Sequence, residues 1–379
     1  MITRREWMAM MCAAPGAAPL LRGANGAQAP ASPVSIARCA SYDEDVTARL
    51  ATMFDQLGGL ERVVRGRTVT IKVNMTGGPG MRIRGKAPAA THYTHPKVLG
   101  ATAYLMGRAG ARRIRFVESA WGTGGPLTDF MLDAGWNVRQ LAAAAQVVEF
   151  VNTNALGPYQ RYARFPVPGN AYMYPGYDLN QAFADTDVFV SMAKLKNHAT
   201  CGVTLSLKNC FGDLPASIYG DDAGKDEPNE KPTSGREAVG HAGKRQPSKS
   251  APQELHFGAN HDPGYRVPRI VADLAMARPI DLAIIDGVTS VAGGEGPWVG
   301  NLRLVEPGVL IAGLNPVSTD AVATAVMGYN PRAPRGTRPF HACDNTLLLA
   351  EAHGAGSADL SRIDVRGLTL EQALYRFDG

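Results

Sequence analysis

The stretch Asp187-Val-Phe-Val-Ser-Met-Ala-Lys-Leu-Lys-Asn-His-Ala-Thr-Cys-Gly-Val-Thr-Leu-Ser-Leu-Lys-Asn-Cys-Phe-Gly-Asp213 decides how the rest of the chain is read. Its first part alternates Val188, Val190 and Met192 on one face, which is the period of a β-strand, and it runs out into Lys194, Lys196, Asn197 and His198. The period then changes. Thr200, Thr204 and Lys208 fall on one stripe and Val203, Leu207 and Cys210 on another, so the spacing predicts a helix over Thr200 to Phe211 with one packed face and one that can meet a ligand. Ligands of open α/β sheets bind beyond the carboxyl ends of the strands, where these lysines and the histidine fall.

Outward from this segment, apolar runs rich in β-branched residues alternate with helix-period segments. Strands are predicted at Val69 to Val73, Arg113 to Val117, Val188 to Met192, Leu282 to Ile285 and Val309 to Ala312. Helices are predicted at Pro96 to Arg108, Val267 to Ala277, Ser318 to Met327 and Phe340 to His353, besides the one above. The fold class is α/β, a mainly parallel sheet covered by helices. Gly212 after Phe211 and Gly328 after Met327 read as left-handed helix stops. Between Gly220 and Tyr265 the chain turns polar and loses apolar periodicity, a long insertion carrying His241, His256 and His261. Tyr159 to Tyr177 is a second irregular stretch, expected as a rim.

The strand ends collect polar groups. Lys72 and Asn74 share one side of the first strand, Glu118 and Ser119 follow the second, Asp286 follows the fourth and Asn315 the fifth. One by one these residues have local uses, a turn for Asp286 or a helix start for Asp320. Gathered on one sheet edge, lysines and carboxylates are costly unless they meet partners. Gly122-Thr-Gly-Gly125 and Gly293-Gly-Glu-Gly-Pro297 let backbone approach a ligand, although neither matches a nucleotide-binding fingerprint. Glu295, held between glycines, is a candidate acid/base or metal ligand.

The 379 residues suffice for a substantial core, and the net charge of +5 includes no basic run of the kind that binds nucleic acid. No apolar stretch approaches the roughly 20 residues of a membrane-spanning helix. Thr3-Arg4-Arg5-Glu6-Trp7, a weakly apolar stretch and Ala27-Gln28-Ala29 have the form of a twin-arginine signal peptide over residues 1–31. The expectation is export through the twin-arginine translocase to a periplasmic or extracellular location, leaving one α/β domain, 32–379, with the insertion at 220–265. Cys39, Cys201, Cys210 and Cys343 permit one or two disulfides there, and the absence of any C-x-x-C argues against an iron-sulfur cluster in this chain. His95, Glu118, His198, Asp286, Glu295 and Asp320, joined by His256 or His261, are the groups a divalent metal would draw on, but no pair has diagnostic ligand spacing.

The segments Val69-Thr-Ile-Lys-Val-Asn74, Thr94-His-Pro96, Val117-Glu-Ser119, Ala193-Lys-Leu-Lys-Asn-His198, Leu207-Lys-Asn-Cys-Phe-Gly212, Ile285-Asp-Gly287, Gly294-Glu-Gly-Pro297 and Asn315-Pro-Val-Ser-Thr-Asp320 resemble, in that order, the domain of unknown function family 362. The resemblance runs from Val69 to Gly328. Many members of that family carry ferredoxin-like four-iron modules. This chain lacks one, so a redox reaction here would use an electron carrier supplied from outside.

Together these readings give an exported enzyme acting on an anionic small molecule. Lys194, Lys196 and Lys208 are expected to hold the negative charge, helped by Lys72, His95, Thr200 and Thr204, with Asn74 and Asn209 orienting the ligand. His198, Lys196 and one of Glu118, Asp286 or Glu295 would move protons or hold a metal. The alternatives are a periplasmic anion carrier with the same residues and no turnover, and a structural partner of a redox complex with an exposed apolar patch.

Overall fold

The computed structural model describes residues 28–259 and 262–378. The segment up to residue 27, on which the expectation of a signal peptide rests, and His261 lie outside the described residues. The buried, β-branched runs form the centre of an eight-stranded sheet. Its strands are β1 (Val34–Arg38), β2 (Thr68–Lys72), β3 (Arg113–Glu118), β4 (Val148–Asn152), β5 (Val188–Lys194), β6 (Leu282–Gly287), β7 (Val309–Gly313) and β8 (Val365–Gly367), in spatial order β8-β1-β7-β6-β5-β2-β3-β4. From β6 to β4 every pairing is parallel, and β2, β5 and β6 are buried along their whole length. Continuous apolar strands of this kind need cover on both faces. The protein is an α/β fold with a mainly parallel sheet.

One face is covered by α1 (Val46–Gln56) and α2 (Pro96–Arg108), which pack on Val69, Ile71, Val190, Met192 and Ile284. The other carries α3 (Leu205–Asn209), α4 (Pro263–Ala277), α5 (Pro316–Val326) and α6 (Thr346–Ala352), packed on Phe189, Ile285 and Ile311. Helix α2 matches its predicted bounds because Pro96 sits in its first turn and the His95 side chain caps the Lys97 amide at 3.1 Å.

Three expectations are corrected. The predicted helix over Thr200 to Phe211 begins only at Leu205. Asn197–His198 and Gly202–Val203 instead form a small hairpin, with Gly202 at φ 74°. Buried Leu205 enters α3 at φ 49°, a left-handed conformation unusual for a branched side chain. The Asp320 carboxylate grips the next two amides, Ser206 and Leu207, at 2.9 Å each, and so serves this turn rather than the ligand edge. Strand β7 runs antiparallel to β6 and β1. Asn315 therefore lies at the opposite edge from the lysines, where it caps α5 through the Ser318 amide at 3.0 Å. Tyr159 to Tyr177 does not rim the ligand edge; Tyr162–Pro166 pairs with Gly176–Asn180, and Asp273 of α4 collects the amides of Tyr172, Met173 and Tyr174.

The insertion packs closely. Its turns are tied by Arg245 to the carbonyls of Asp221 and Ala223, and Val239 and Ala251 enter the main core. The four cysteines of the described chain are buried, unpaired thiols. No helix among the described residues is long and apolar enough to cross a membrane.

Period-two alternation separates the lysines. Lys194 follows Val188, Val190 and Met192 onto the α1/α2 face, where its ammonium meets Asp286 Oδ2 at 2.9 Å and the Tyr42 hydroxyl at 2.8 Å, with both charged side chains fully buried. Asp286 also accepts from the His95 amide at 2.9 Å, and the His95 ring stacks on Tyr42 with centroids 3.7 Å apart. Removing one partner of a buried pair leaves an uncompensated charge, so Asp286→Ala should cost about 3–5 kcal/mol in urea unfolding. Adding Lys194→Met should recover part of that loss; a single-variant loss below about 1 kcal/mol would show that the pair does not anchor this face.

Candidate functional site

The carboxyl ends of β2, β3 and β5, the start of α3, the loop after β6 and the insertion enclose a cavity of about 840 Å³. Its floor is a buried ion pair. Lys72 Nζ lies 2.6 Å from Glu118 Oε1 and donates to the Val73 carbonyl at 2.7 Å, while Glu118 Oε2 accepts the Met75 amide at 2.8 Å. Beside it Asn74 Nδ2 donates to Asn209 Oδ1 at 3.0 Å, and Asn209 Nδ2 returns to Ser191 Oγ at 3.0 Å. Each group on this floor restrains its neighbour, which is what makes a buried polar network rigid.

One wall is the hairpin that replaced the first helical turn. The Thr200 amide donates to His198 Nδ1 at 3.2 Å, so the neutral ring carries its proton on Nε2, which has no hydrogen-bond partner among the described residues. Glu295 sits behind, its Oε2 accepting the Ala199 amide at 2.8 Å and lying 3.8 Å from His198 Nδ1, and its Oε1 accepting the Trp298 indole at 2.8 Å. Burial would raise this carboxyl, but His198, the Ala199 amide and Trp298 outweigh it and hold it down at about 2. Burial drives the His198 imidazole well below its ordinary range, with Lys208 reinforcing and Glu295 opposing, so the ring is neutral at pH 7.

The Lys208 ammonium has no carboxylate at ion-pair distance and no hydrogen bond among the described residues; it lies over the Phe211 ring, 4.4 Å from the centroid. Burial lowers it to about 8, aided by Lys72 and Arg236 and opposed by Cys201 and Glu295. Arg236, brought in by the insertion, is anchored through the Leu214 carbonyl at 2.6 Å and Asn154 Oδ1 at 2.9 Å, with no carboxylate at ion-pair distance among the described residues. His241 completes this side, held neutral near 4 by burial and by Lys208.

The structure thus brings together Lys72, Asn74, Glu118, His198, Thr200, Thr204, Lys208, Asn209 and Glu295. It does not bring in Lys194, Asp286 or His95, which are on the far side of the sheet, or His256, which is exposed in the insertion. Lys196 is fully buried behind the wall, where its ammonium ties the carbonyls of His92 and Glu295 at 2.6 and 3.2 Å and Thr76 Oγ1 at 3.2 Å. Only one of the three lysines expected to hold an anion, Lys208, faces the cavity. The metal candidates are likewise divided between the two faces, and no three His, Cys, Asp or Glu side chains cluster for a metal among the described residues.

Sequence reasoning passed over Arg236, Trp121 and Trp298. The two tryptophans adjoin the glycine stretches at 122–125 and 293–297, and that adjacency was the available signal; Arg236 had none beyond lying in the insertion.

The model of the family described as domain of unknown function (DUF362) matches residues 69–325, which is the sheet centre together with every wall of this cavity. The chain belongs to the DUF362 family. It is 25% identical over 303 residues, 79% of this chain and 75% of the relative, to a thylakoid-associated protein of Synechocystis sp.. Among solved structures it is similar to the lactate racemase apoprotein of Thermoanaerobacterium thermosaccharolyticum, with a TM-score of 0.33 and 10% identity over 73% of this chain, and it spans 54% of that racemase.

Gly212 was expected as a left-handed helix stop, the role that Gly328 fills at φ 88°. Gly212 instead lies in a short turn against the floor of this DUF362 cavity, and a Cβ there would fall 2.8 Å from Lys72 Nζ and 3.1 Å from Glu118 Oε1. Gly212→Ala should therefore spread the ion pair and destabilise the fold by about 1–3 kcal/mol in denaturant titration. Gly80→Ala, at an exposed position with open space around it and no left-handed backbone, provides the comparison for the loss of a glycine alone.

Proposed function

We propose that this DUF362 protein is an enzyme acting on an anionic small molecule held in the cavity over the Lys72–Glu118 pair, and that it works after export. The observation that carries the reading is the convergence of two cations without carboxylate partners among the described residues, Lys208 and Arg236, on a cavity that also presents a neutral histidine with an unengaged Nε2. Desolvated cations with no carboxylate at ion-pair distance among the described residues favour an anion from outside.

Arg236 supplies a permanent charge in a fixed orientation, since its guanidinium is already held from behind. His198 supplies an oriented Nε2–H that can donate to a ligand oxygen. Lys208, lowered to about 8, exchanges its proton close to neutral pH, as a general acid or base must. The carboxylates take positioning roles. Glu118 is committed to Lys72 and the Met75 amide, and Glu295 to the Ala199 amide and Trp298. Proton transfer therefore rests on Lys208 and His198, and Asp286, on the other face, takes no part.

Native mass spectrometry of the protein from its own cells should show a small acid retained by the unaltered chain and lost from Lys208→Met. Incubated with that acid, the unaltered protein should convert it, and His198→Ala should lower kcat about 100-fold or more while affinity changes only a few-fold. An acid returned unchanged would favour the carrier reading. Lys208 is protonated below about pH 8, so affinity for the acid should be greatest below that pH and fall as pH rises through it. A pH-independent affinity up to pH 10 would remove Lys208 from the site.

A further inference from the structure

The cavity offers more than charge. Trp121 and Trp298 both line it, yet they are 50% and 52% exposed, whereas Trp136 is buried at 4%. The two indoles meet the same two-glycine turn. A Cβ on Gly77 would meet the Trp298 ring at 2.6 Å and Met81 Sδ at 3.1 Å, and a Cβ on adjacent Gly78 would meet the Trp121 ring at 3.6 Å and the Met81 methyl at 3.7 Å. Met81, Trp121 and Trp298 therefore gather on Gly77 and Gly78 of the loop after β2 and give the cavity one apolar patch. Glycine at 77 is what leaves room for the Trp298 ring against that loop, whereas a Cβ at 78 would make only ordinary contact with Trp121. Trp298 cannot swing away without losing its 2.8 Å bond to Glu295, so its ring is fixed relative to the His198 wall.

An inorganic anion at Lys208 and Arg236 would leave this patch wetted, and a cavity of about 840 Å³ is far larger than such an ion. Exposed aromatic surface next to paired cations suits a molecule with both characters, because planar rings gain by stacking on indoles as well as by leaving water. We infer that the substrate is an amphiphilic organic anion whose planar apolar body packs against Trp121, Met81 and Trp298 while its charged group meets Lys208 and Arg236. The inference rests on the anion reading above and narrows it to a substrate class.

Calorimetric titration with 2-naphthoate, acetate and neutral 2-naphthylmethanol separates the two claims. The unaltered protein should bind 2-naphthoate at least about tenfold more tightly than either of the others. Trp121→Ala removes a half-exposed ring with no part in the His198–Glu295 wall, and should weaken 2-naphthoate about tenfold with acetate unchanged; Lys208→Met should weaken both anions. Thermal melting of both variants checks that they fold, and Trp121→Phe, which keeps a ring, should restore most of the 2-naphthoate affinity. Equal affinity for 2-naphthoate and acetate, or no effect of Trp121→Ala while Lys208→Met weakens both, would overturn the amphiphile and leave the anion reading standing. If neither anion binds, or 2-naphthylmethanol binds as well as 2-naphthoate, the anion reading fails and this inference with it.

Discussion

The buried pair between Lys72 and Glu118 is the constraint on which the rest of the edge depends. Two charges removed from water are tolerable only when each remaining donor and acceptor is met. Here the Val73 carbonyl, Asn209 and the Met75 amide meet them. Those three partners come from the end of β2, from α3 and from the loop that carries Met81, so one electrostatic requirement fixes the relative positions of a strand end, a helix and the cavity mouth. Gly212 belongs to the same constraint, since only a residue without a Cβ leaves room for the ammonium and the carboxylate together.

The second buried pair, Lys194 with Asp286, shows how the fold handles charge on a parallel sheet. Neighbouring strands place Lys72 on one face and Lys194 on the other, and each finds a carboxylate from the next strand. Both pairs are neutral overall and offer nothing to a ligand by net charge. The cationic character of the cavity comes instead from outside the sheet, from Lys208 on α3 and Arg236 on the insertion. Around a rigid, neutral floor, one short helix and the loops supply the unbalanced charge, and the loops supply the aromatic wall, as expected where function is carried by connecting segments on a fixed scaffold.

The hairpin bearing His198 sits at the junction of these two layers. Its backbone turns through Gly202 rather than continuing into a helix, and that turn brings the Thr200 and Ala199 amides onto His198 and Glu295. Left-handed Leu205, held by Asp320 through the following amides, restarts the chain as α3 and aims Lys208 back at the same cavity. A regular helix through this segment would have placed Thr200 and Lys208 on one stripe and left His198 and Glu295 without these backbone contacts.

How much of this was legible follows from the range of each force. The period-two runs at Val69, Arg113, Val188, Leu282 and Val309, and the proline-started helix at Pro96, are local patterns, so the chain alone determined the α/β layers and placed Lys72, Asn74, Glu118, His198, Lys208 and Asn209 near one edge. Strand direction is not local: the antiparallel turn of β7, which carried Asn315 to the far edge, depends on which neighbours it pairs with. Alternation puts Lys194 on the face of Val188, Val190 and Met192, but a single sequence does not say which helices cover that face and which face opens to the cavity, and so Lys194, Asp286 and His95 read as site residues although they are partners of one another. Arg236, Trp121 and Trp298 were decided by tertiary structure alone, since they reach the cavity from loops whose course is fixed by contacts with residues far away in the chain.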